Sequence, residues 1–270
     1  MPGLDASSLV VAAVSVSGTV CVFASSTMHV LVDLTGAFVE GSGSGLELAA
    51  PVRSVDTRTS QRLAAGSVLA VDVPGGWNAA LLNLTAVSPS GAGFLTAYPC
   101  DVPRPATSNL NIAAGRPAKA NAAIVGLSRA GQLCVYTSVA VDVVVDLFGR
   151  FSAGAALHLV PIVPQRLLDT RAGVGAWRGR MASGGTIDVT PANITGSVIG
   201  TLTVIDPRGD GYVTAWGDGA RPGTSNVNVQ QNEVIANFVV GAPGHDGRLE
   251  LFAGDGAGEY LAFDITGVFA

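Results

Sequence analysis

"CVYTSVAVDVVVDLFGRF", Cys134 to Phe151, decides the fold. Its apolar residues alternate instead of recurring at helical spacing. Val141, Val143, Val145 and Leu147 fall on one side of an extended chain, and Asp142, Val144, Asp146 and Phe148 on the other. A period of two is strand chemistry. The phrase returns as "CVFASSTMHVLVDLTGAF" from Cys21 to Phe38 and, more loosely, as "LELFAGDGAGEYLAFDITGVF" from Leu249 to Phe269. One β element written three times makes comparison of the chain with itself the way to read the rest.

Other segments recur twice. Asp56-Thr57-Arg58 in "RSVDTR" returns as Asp169-Thr170-Arg171 in "RLLDTR", "GFLTAY" (Gly93 to Tyr98) as "GYVTAW" (Gly211 to Trp216), and "RPATSNLN" (Arg104 to Asn111) as "RPGTSNVN" (Arg221 to Asn228). A closing aspartate recurs at Asp33, Asp146 and Asp264, each followed shortly by Gly and an aromatic. Residues 41–152 and 153–270 are thus two complete repeats, and 1–40 is the second half of a truncated one. Runs such as "AALLNLTAV", "AAIVGL" and "LCVY" are rich in strand-forming residues, and "SPSGAG", "SRAGQ" and "DPRGDG" between them are turn signals. The pattern predicts an all-β protein of tandem β-sandwich-like domains, with β-trefoil-like units as the alternative. The three closing strands are expected to be equivalent.

Composition narrows the function. Of 270 residues, 48% are hydrophobic and only 13% charged, with net charge −5 and a single lysine, Lys119. A neutral surface with no basic cluster has no means of gathering phosphates, which argues against nucleic acid and anionic membranes as partners. The apolar runs are too short and interrupted for a membrane span. The opening "SSLVVAAVSVSGTVCVFASS" superficially resembles a signal peptide. It matches "NAAIVGLSRAGQLCVYTS" inside the chain and carries Asp5 where a basic residue is expected, so it reads as mature sequence.

The combination "GFLTAYPC…RPATSNLN…AN…LCVY…VVVDLFG.F" resembles the tandem repeats of secreted and cell-surface actinobacterial proteins, which occur alone in arrays or attached to cell-wall or peptide hydrolases. The resemblance covers nearly the whole chain. It implies an extracytoplasmic accessory or structural module, extracellular or at the cell surface, and carries over no catalytic residue. The second complete repeat departs most, lacking both cysteines of the first.

Those cysteines are informative. Cys100 and Cys134 are replaced together by Asp218 and Glu250, and paired loss points to a pair: a disulfide in an oxidising compartment, with three buried free thiols as the other reading. Cys21 matches Cys134 but has no counterpart of Cys100, so it is expected to be unpaired or intermolecular. A bridge would make Asp218 and Glu250 neighbours, which is either a weak cation site or two acids turned to solvent.

Further constellations have local readings. Asp56 with Arg58, and Asp169 with Arg171, share a strand face and suit a charge-assisted hydrogen bond. Asn109, Asn111, Asn226 and Asn228 are unusual strand residues. They either bond a neighbouring loop or, beside Tyr98 and Trp216, offer amides and an aromatic face to a sugar. "RGD" at Arg208 to Asp210 reads as a hairpin turn. The sequons at Asn83 and Asn193 carry no weight given the bacterial resemblance. His29, His158 and His245 occupy unrelated repeat positions, which argues against a metal cluster or catalytic base. No residue set calls for a cofactor. The expectation is a non-catalytic structural or interaction protein, with itself or other surface proteins as partners. A polysaccharide- or peptidoglycan-binding accessory module is the alternative.

Overall fold

The computed structural model describes residues 6–191, 194, 196–255 and 258–270. Apart from a one-turn 3-10 helix at Thr57–Thr59, its regular elements are strands. The first repeat contributes β1 (Gly45–Asp56), β2 (Val68–Asp72), β3 (Ala79–Val87), β4 (Gly93–Pro99), β5 (Leu110–Ile112), β6 (Ala118–Gly126), β7 (Gln132–Thr137) and β8 (Asp142–Ser152). The second contributes β9 (Leu159–Asp169), β10 (Thr186–Val189), β11 (Ser197–Ile205), β12 (Gly211–Trp216), β13 (Val227–Val229), β14 (Val234–Gly241), β15 (Leu249–Gly254) and β16 (Tyr260–Phe269).

Each repeat is a sandwich of two four-stranded antiparallel sheets. In the first, β1-β8-β3-β6 faces β2-β7-β4-β5; in the second, β9-β16-β11-β14 faces β10-β15-β12-β13. The two orders are the same, strand for strand, and two stacked sheets rule out the trefoil alternative. Alternation builds each core. Val141, Val143, Val145 and Leu147 point between the sheets of the first repeat, as Leu261, Phe263 and Ile265 do in the second.

The opposite face of β8 is covered as well: Val144 and Asp146 are buried. Further along β8, Phe148 and Phe151 enter a third apolar cluster. It joins Leu46, Leu81, Ala122 and Phe151 of the first repeat to Ile199, Phe238 and Phe269 of the second. The repeats therefore pack on each other, and β6 of the first lies against β13 and β14 of the second. A strand buried on both faces has no place for polar residues except where they are paired, hence its nearly unbroken aliphatic run.

Residues 6–40 depart from expectation. They form no strand ladder, and the segment equivalent to β8 leaves Val30, Leu31, Val32 and Leu34 exposed. Asp33 is exposed too, so it is not the structural equivalent of Asp146 and Asp264. The cause is physical: β8 is held between β1 and β3, and no spare copies of those strands exist among the described residues to flank residues 29–38. Part of the segment is nonetheless seated. Leu9 and Val11 pack on the shared cluster, the Asn111 backbone N–H donates to Ser7 Oγ at 3.1 Å, and Phe38 meets Phe151 and Phe269 with ring centroids 6.0 and 5.8 Å away.

Candidate functional site

The recurring polar residues converge on one construction, built twice. Arg53, three residues before Asp56 on β1, sends Nε to Asp146 Oδ1 at 2.9 Å and Nη2 to Oδ2 at 3.2 Å, and its Nη1 lies 3.5 Å from Asp56 Oδ2. Asp56 in turn accepts Arg58 Nε at 2.8 Å and the Arg58 backbone N–H at 3.2 Å. In the second repeat Arg166 donates Nε and Nη2 to Asp264 at 2.7 and 2.8 Å, and Nη1 to Asp169 at 3.0 Å. Asp169 takes Arg171 Nε at 3.0 Å, Nη2 at 2.7 Å and its backbone N–H at 3.0 Å. The motif is thus Arg-x-x-Asp-Thr-Arg with a distant Asp, four alternating charges in a row.

Asp56 and Arg58 do not share a strand face. Asp56 ends β1 and caps the 3-10 turn, so the pair forms across a turn, and Asp169 caps its own turn in the same way. The middle threonine ties this turn to the closing strand: Val143 N–H donates to Thr57 Oγ1 at 2.8 Å, and Leu261 N–H to Thr170 Oγ1 at 3.0 Å. Charge placement tunes the acids oppositely. The Arg171 guanidinium holds the Asp169 carboxyl down at about 2, whereas burial pushes Asp146 above the ordinary carboxylate value despite Arg53. Arg53 and Arg166 were missed as site residues on sequence, although both stand in the quoted "RSVDTR" and "RLLDTR".

The asparagines form a second recurring device. Asn109 Oδ1 accepts the Ala97 N–H at 2.7 Å and Asn226 Oδ1 the Ala215 N–H at 2.8 Å, so each side chain continues the ladder where β4 and β12 pass a loop. Thr96 and Thr214 secure the same loop by donating to the carbonyls of Thr107 and Thr224, both at 2.7 Å. Asn111 and Asn228 each pair with the serine three residues before. Tyr98 and Trp216 are only 8% exposed. These six residues do not assemble into an open aromatic and amide face. An open groove of about 270 Å³ does touch Asn228, together with Tyr212, Asp210 and Asp255.

At the junction of the repeats the polar contacts become asymmetric. Asn237, buried on β14, accepts the Ala122 N–H at 2.8 Å and donates to Asn83 Oδ1 and Asn226 O at 3.0 and 2.6 Å. Asn83 reaches Ser225 O at 2.7 Å and Arg53 reaches Gly223 O at 3.1 Å, so the second repeat's "RPGTSN" loop lies over the first repeat's sheet. Arg116 pairs with Glu233 through both guanidinium nitrogens. Asn83 is 1% exposed, which removes its sequon from the surface; Asn193 lies outside the described residues.

Cys100 and Cys134 are joined, with Cα atoms 4.9 Å apart, and Cys21 is an exposed free thiol. Asp218 and Glu250 do not form a site: Asp218 turns to the His245 backbone N–H at 2.8 Å and to its ring, while Glu250 sits opposite Trp216 and Asp188 on neighbouring strands. Among the described residues no group of three His, Cys, Asp or Glu is placed to hold a metal. No helix is long and apolar enough to cross a membrane. Neither a protein-family model nor a curated protein matches the chain. Among solved structures, a match is the N-terminal CBM22-1–CBM22-2 tandem domain of Xyn10C from Paenibacillus barcinonensis, 10% identical and covering 88% of this chain and 98% of that one. Its TM-score of 0.22 is too low to carry an argument about this molecule.

Proposed function

We propose that the protein is a non-catalytic, extracytoplasmic structural module that works by packing β-sandwich repeats against one another, at the cell surface and through self-association or association with other repeat-bearing proteins. The observation that carries this reading is where the recurring residues point. Both Arg-x-x-Asp-Thr-Arg networks, both Asn clips and the Asn83–Asn237 junction hold strands, loops and repeats together. A repeat selected for chemistry would keep its recurring acids and amides facing a cleft. The Cys100–Cys134 bridge supports an oxidising compartment.

The test is light scattering at several concentrations, with the complete chain and with a chain lacking residues 1–40. Association that rises with concentration and disappears on removing 1–40 is expected; a chain monomeric in both forms counts against the reading. Sedimentation with insoluble polysaccharide and with peptidoglycan is the companion measurement. Co-sedimentation abolished by Tyr212→Ala would replace this reading with the carbohydrate-binding one, through the groove beside Asn228.

A further inference from the structure

The open groove of about 270 Å³ lies where the two repeats meet. It is lined by Pro117 and Ala118 of the first repeat and by Asp210, Tyr212, Asn228 and Asp255 of the second. Most of this polar lining is foreign to the recurring architecture. Counted along the matched strands, the first repeat has Ala92, Phe94 and Val139 where the second has Asp210, Tyr212 and Asp255, and only Asn111 and Asn228 agree. Val139 packs against the core of its sandwich, whereas Asp255 is exposed. Two carboxylates and a phenol thus replace three apolar side chains around one groove, in a chain with only 13% charged residues. Folding does not call for them, because the first repeat builds the same sheet without them.

The chemistry of the groove is one-sided. No lysine or arginine lines it. Asp210 gives Oδ1 to the Gln231 N–H at 3.0 Å, which leaves its second oxygen for a ligand. A β-carbon at Gly254 would collide with the Tyr212 ring, so that ring lies flat across the sheet, with its centroid 6.1 Å from that of Phe252. An aromatic face beside two carboxylates complements a planar cation. The protein holds its own arginines in this way. Arg221 stands over Phe252 at 3.6 Å, Arg104 over Tyr136 at 4.2 Å and Arg180 over Tyr260 at 4.3 Å. Arg53 is shared by Asp56 and Asp146, and Arg166 by Asp169 and Asp264. Among the described residues no arginine stands over Tyr212 or pairs with Asp210 or Asp255.

We propose that this groove is a guanidinium-binding site whose occupant is an exposed arginine side chain of a partner polypeptide. Tyr212 supplies the stacking face, and Asp255 and the second oxygen of Asp210 accept the N–H fork. The volume falls just below the roughly 300–1,000 Å³ of sites that enclose a whole small molecule, which fits a single side chain. A guanidinium matches better than an ammonium because its plane stacks while its edge pairs with carboxylates. A neutral sugar gains nothing from the negative potential of the groove. In taking the occupant to be a polypeptide, the inference rests on the protein-contact function proposed above.

The probe is acetyl-arginine methylamide, titrated into the complete chain while the amide signals of Tyr212, Asn228 and Asp255 are followed by NMR. Saturable shifts confined to the groove are expected. Tyr212→Ala and Asp255→Asn should each weaken binding about threefold or more, and Tyr212→Phe, which keeps the ring, should leave it unchanged. Asp255→Asn preserves the size of an exposed side chain, so it decides the matter should the alanine variant fail to fold. The uncharged citrulline analogue should not bind. The lysine analogue should bind more weakly, as should free arginine, whose own carboxylate the two aspartates repel. Binding of the citrulline or lysine analogue as tight as that of the capped arginine overturns the inference, and tighter binding of free arginine assigns the groove to the amino acid instead of a polypeptide. Chitotriose shifting the same amides where the capped arginine does not would make it a saccharide site. An absence of saturable shifts also overturns the inference but leaves repeat packing intact, since self-association is read from light scattering without the probe.

Discussion

Arg53 and Asp146 show at the level of single residues why charges are tolerated inside a nearly charge-poor protein. Asp146 is 1% exposed, and its ion pair is bidentate, so its loss strands a guanidinium rather than exchanging one solvated group for another. Asp146→Ala should lower the stability of its repeat by about 1–3 kcal/mol in urea denaturation, and an unchanged midpoint would deny the network a structural role. Glu259 is the opposite case. It stands where the first repeat has Val141, is fully buried, and neither carboxylate oxygen finds a partner among the described residues. Burial pushes its pKa up to about 7, with Arg180 pulling weakly the other way. The folded state therefore holds a proton that the unfolded chain releases from about pH 4.5 upward. Glu259's contribution to the stability of the second repeat is fully present below that value, is lost as pH rises to about 7, and then levels off, whereas Asp169, held down at about 2, contributes in the opposite sense as pH falls below the ordinary carboxylate range. Glu259→Val, restoring the first repeat's residue, should raise the midpoint at pH 8 and flatten the profile; a parent profile already flat between pH 5 and 8 would contradict the assignment. The aspartates were legible in the sequence because they recur. Arg53 and Arg166 recur too, but their significance lay in reaching a strand nearly a hundred residues away, which spacing alone does not encode.

At the level of elements, the two-residue period of "VAVDVVVDLF" correctly gave a strand and its inward face, because alternation is a local consequence of backbone geometry. What it did not give is that the outward face is also buried. That depends on the second repeat, whose "RPGTSN" loop bonds the Arg53 and Asn83 beside Asp146 and whose Ile199, Phe238 and Phe269 cluster with Phe151. The same reasoning explains the asparagines. Asn237 bridges β6, β11's neighbour β14 and the "RPGTSN" loop by hydrogen bonds that are individually ordinary but share one side chain. Asn237→Ala should cost about 2–4 kcal/mol by leaving the Ala122 N–H and Asn83 Oδ1 without partners, and should uncouple the repeats into two resolvable calorimetric transitions. A single transition shifted as a whole would mean that the apolar cluster alone couples them. The disulfide acts on one element pair only. It ties the end of β4 to β7 across a sequence separation of 34, so reduction should lower the first repeat's transition by about 3–4 kcal/mol and leave the second in place.

For the whole molecule, the sequence reads 1–40 as the second half of a repeat and expects strands there, whereas residues 6–40 form no strand ladder. Strand propensity is realised only when a neighbour supplies the ladder, and an isolated half-sandwich has neither flanking strands nor a facing sheet. The consequence is an uneven distribution of stability along one chain. Phe23 and Leu31 are more than nine-tenths exposed, and the segment is anchored through Ser7, Leu9, Val11 and Phe38 alone among its described contacts with the repeats. Little apolar area is buried there, so local release costs far less than unfolding either sandwich. Limited proteolysis of the monomeric chain should therefore cut first between residues 12 and 37 and leave a resistant product of residues 41–270 with Cys100 and Cys134 still joined. Because that product retains both cores and their shared cluster, its melting temperature should lie within about 5 °C of the intact chain's, the shift expected for a loss on the order of 1 kcal/mol. Should cleavage at the segment instead bring down both repeats together, the contacts of Phe38 with Phe151 and Phe269 would be what holds the two sandwiches in place.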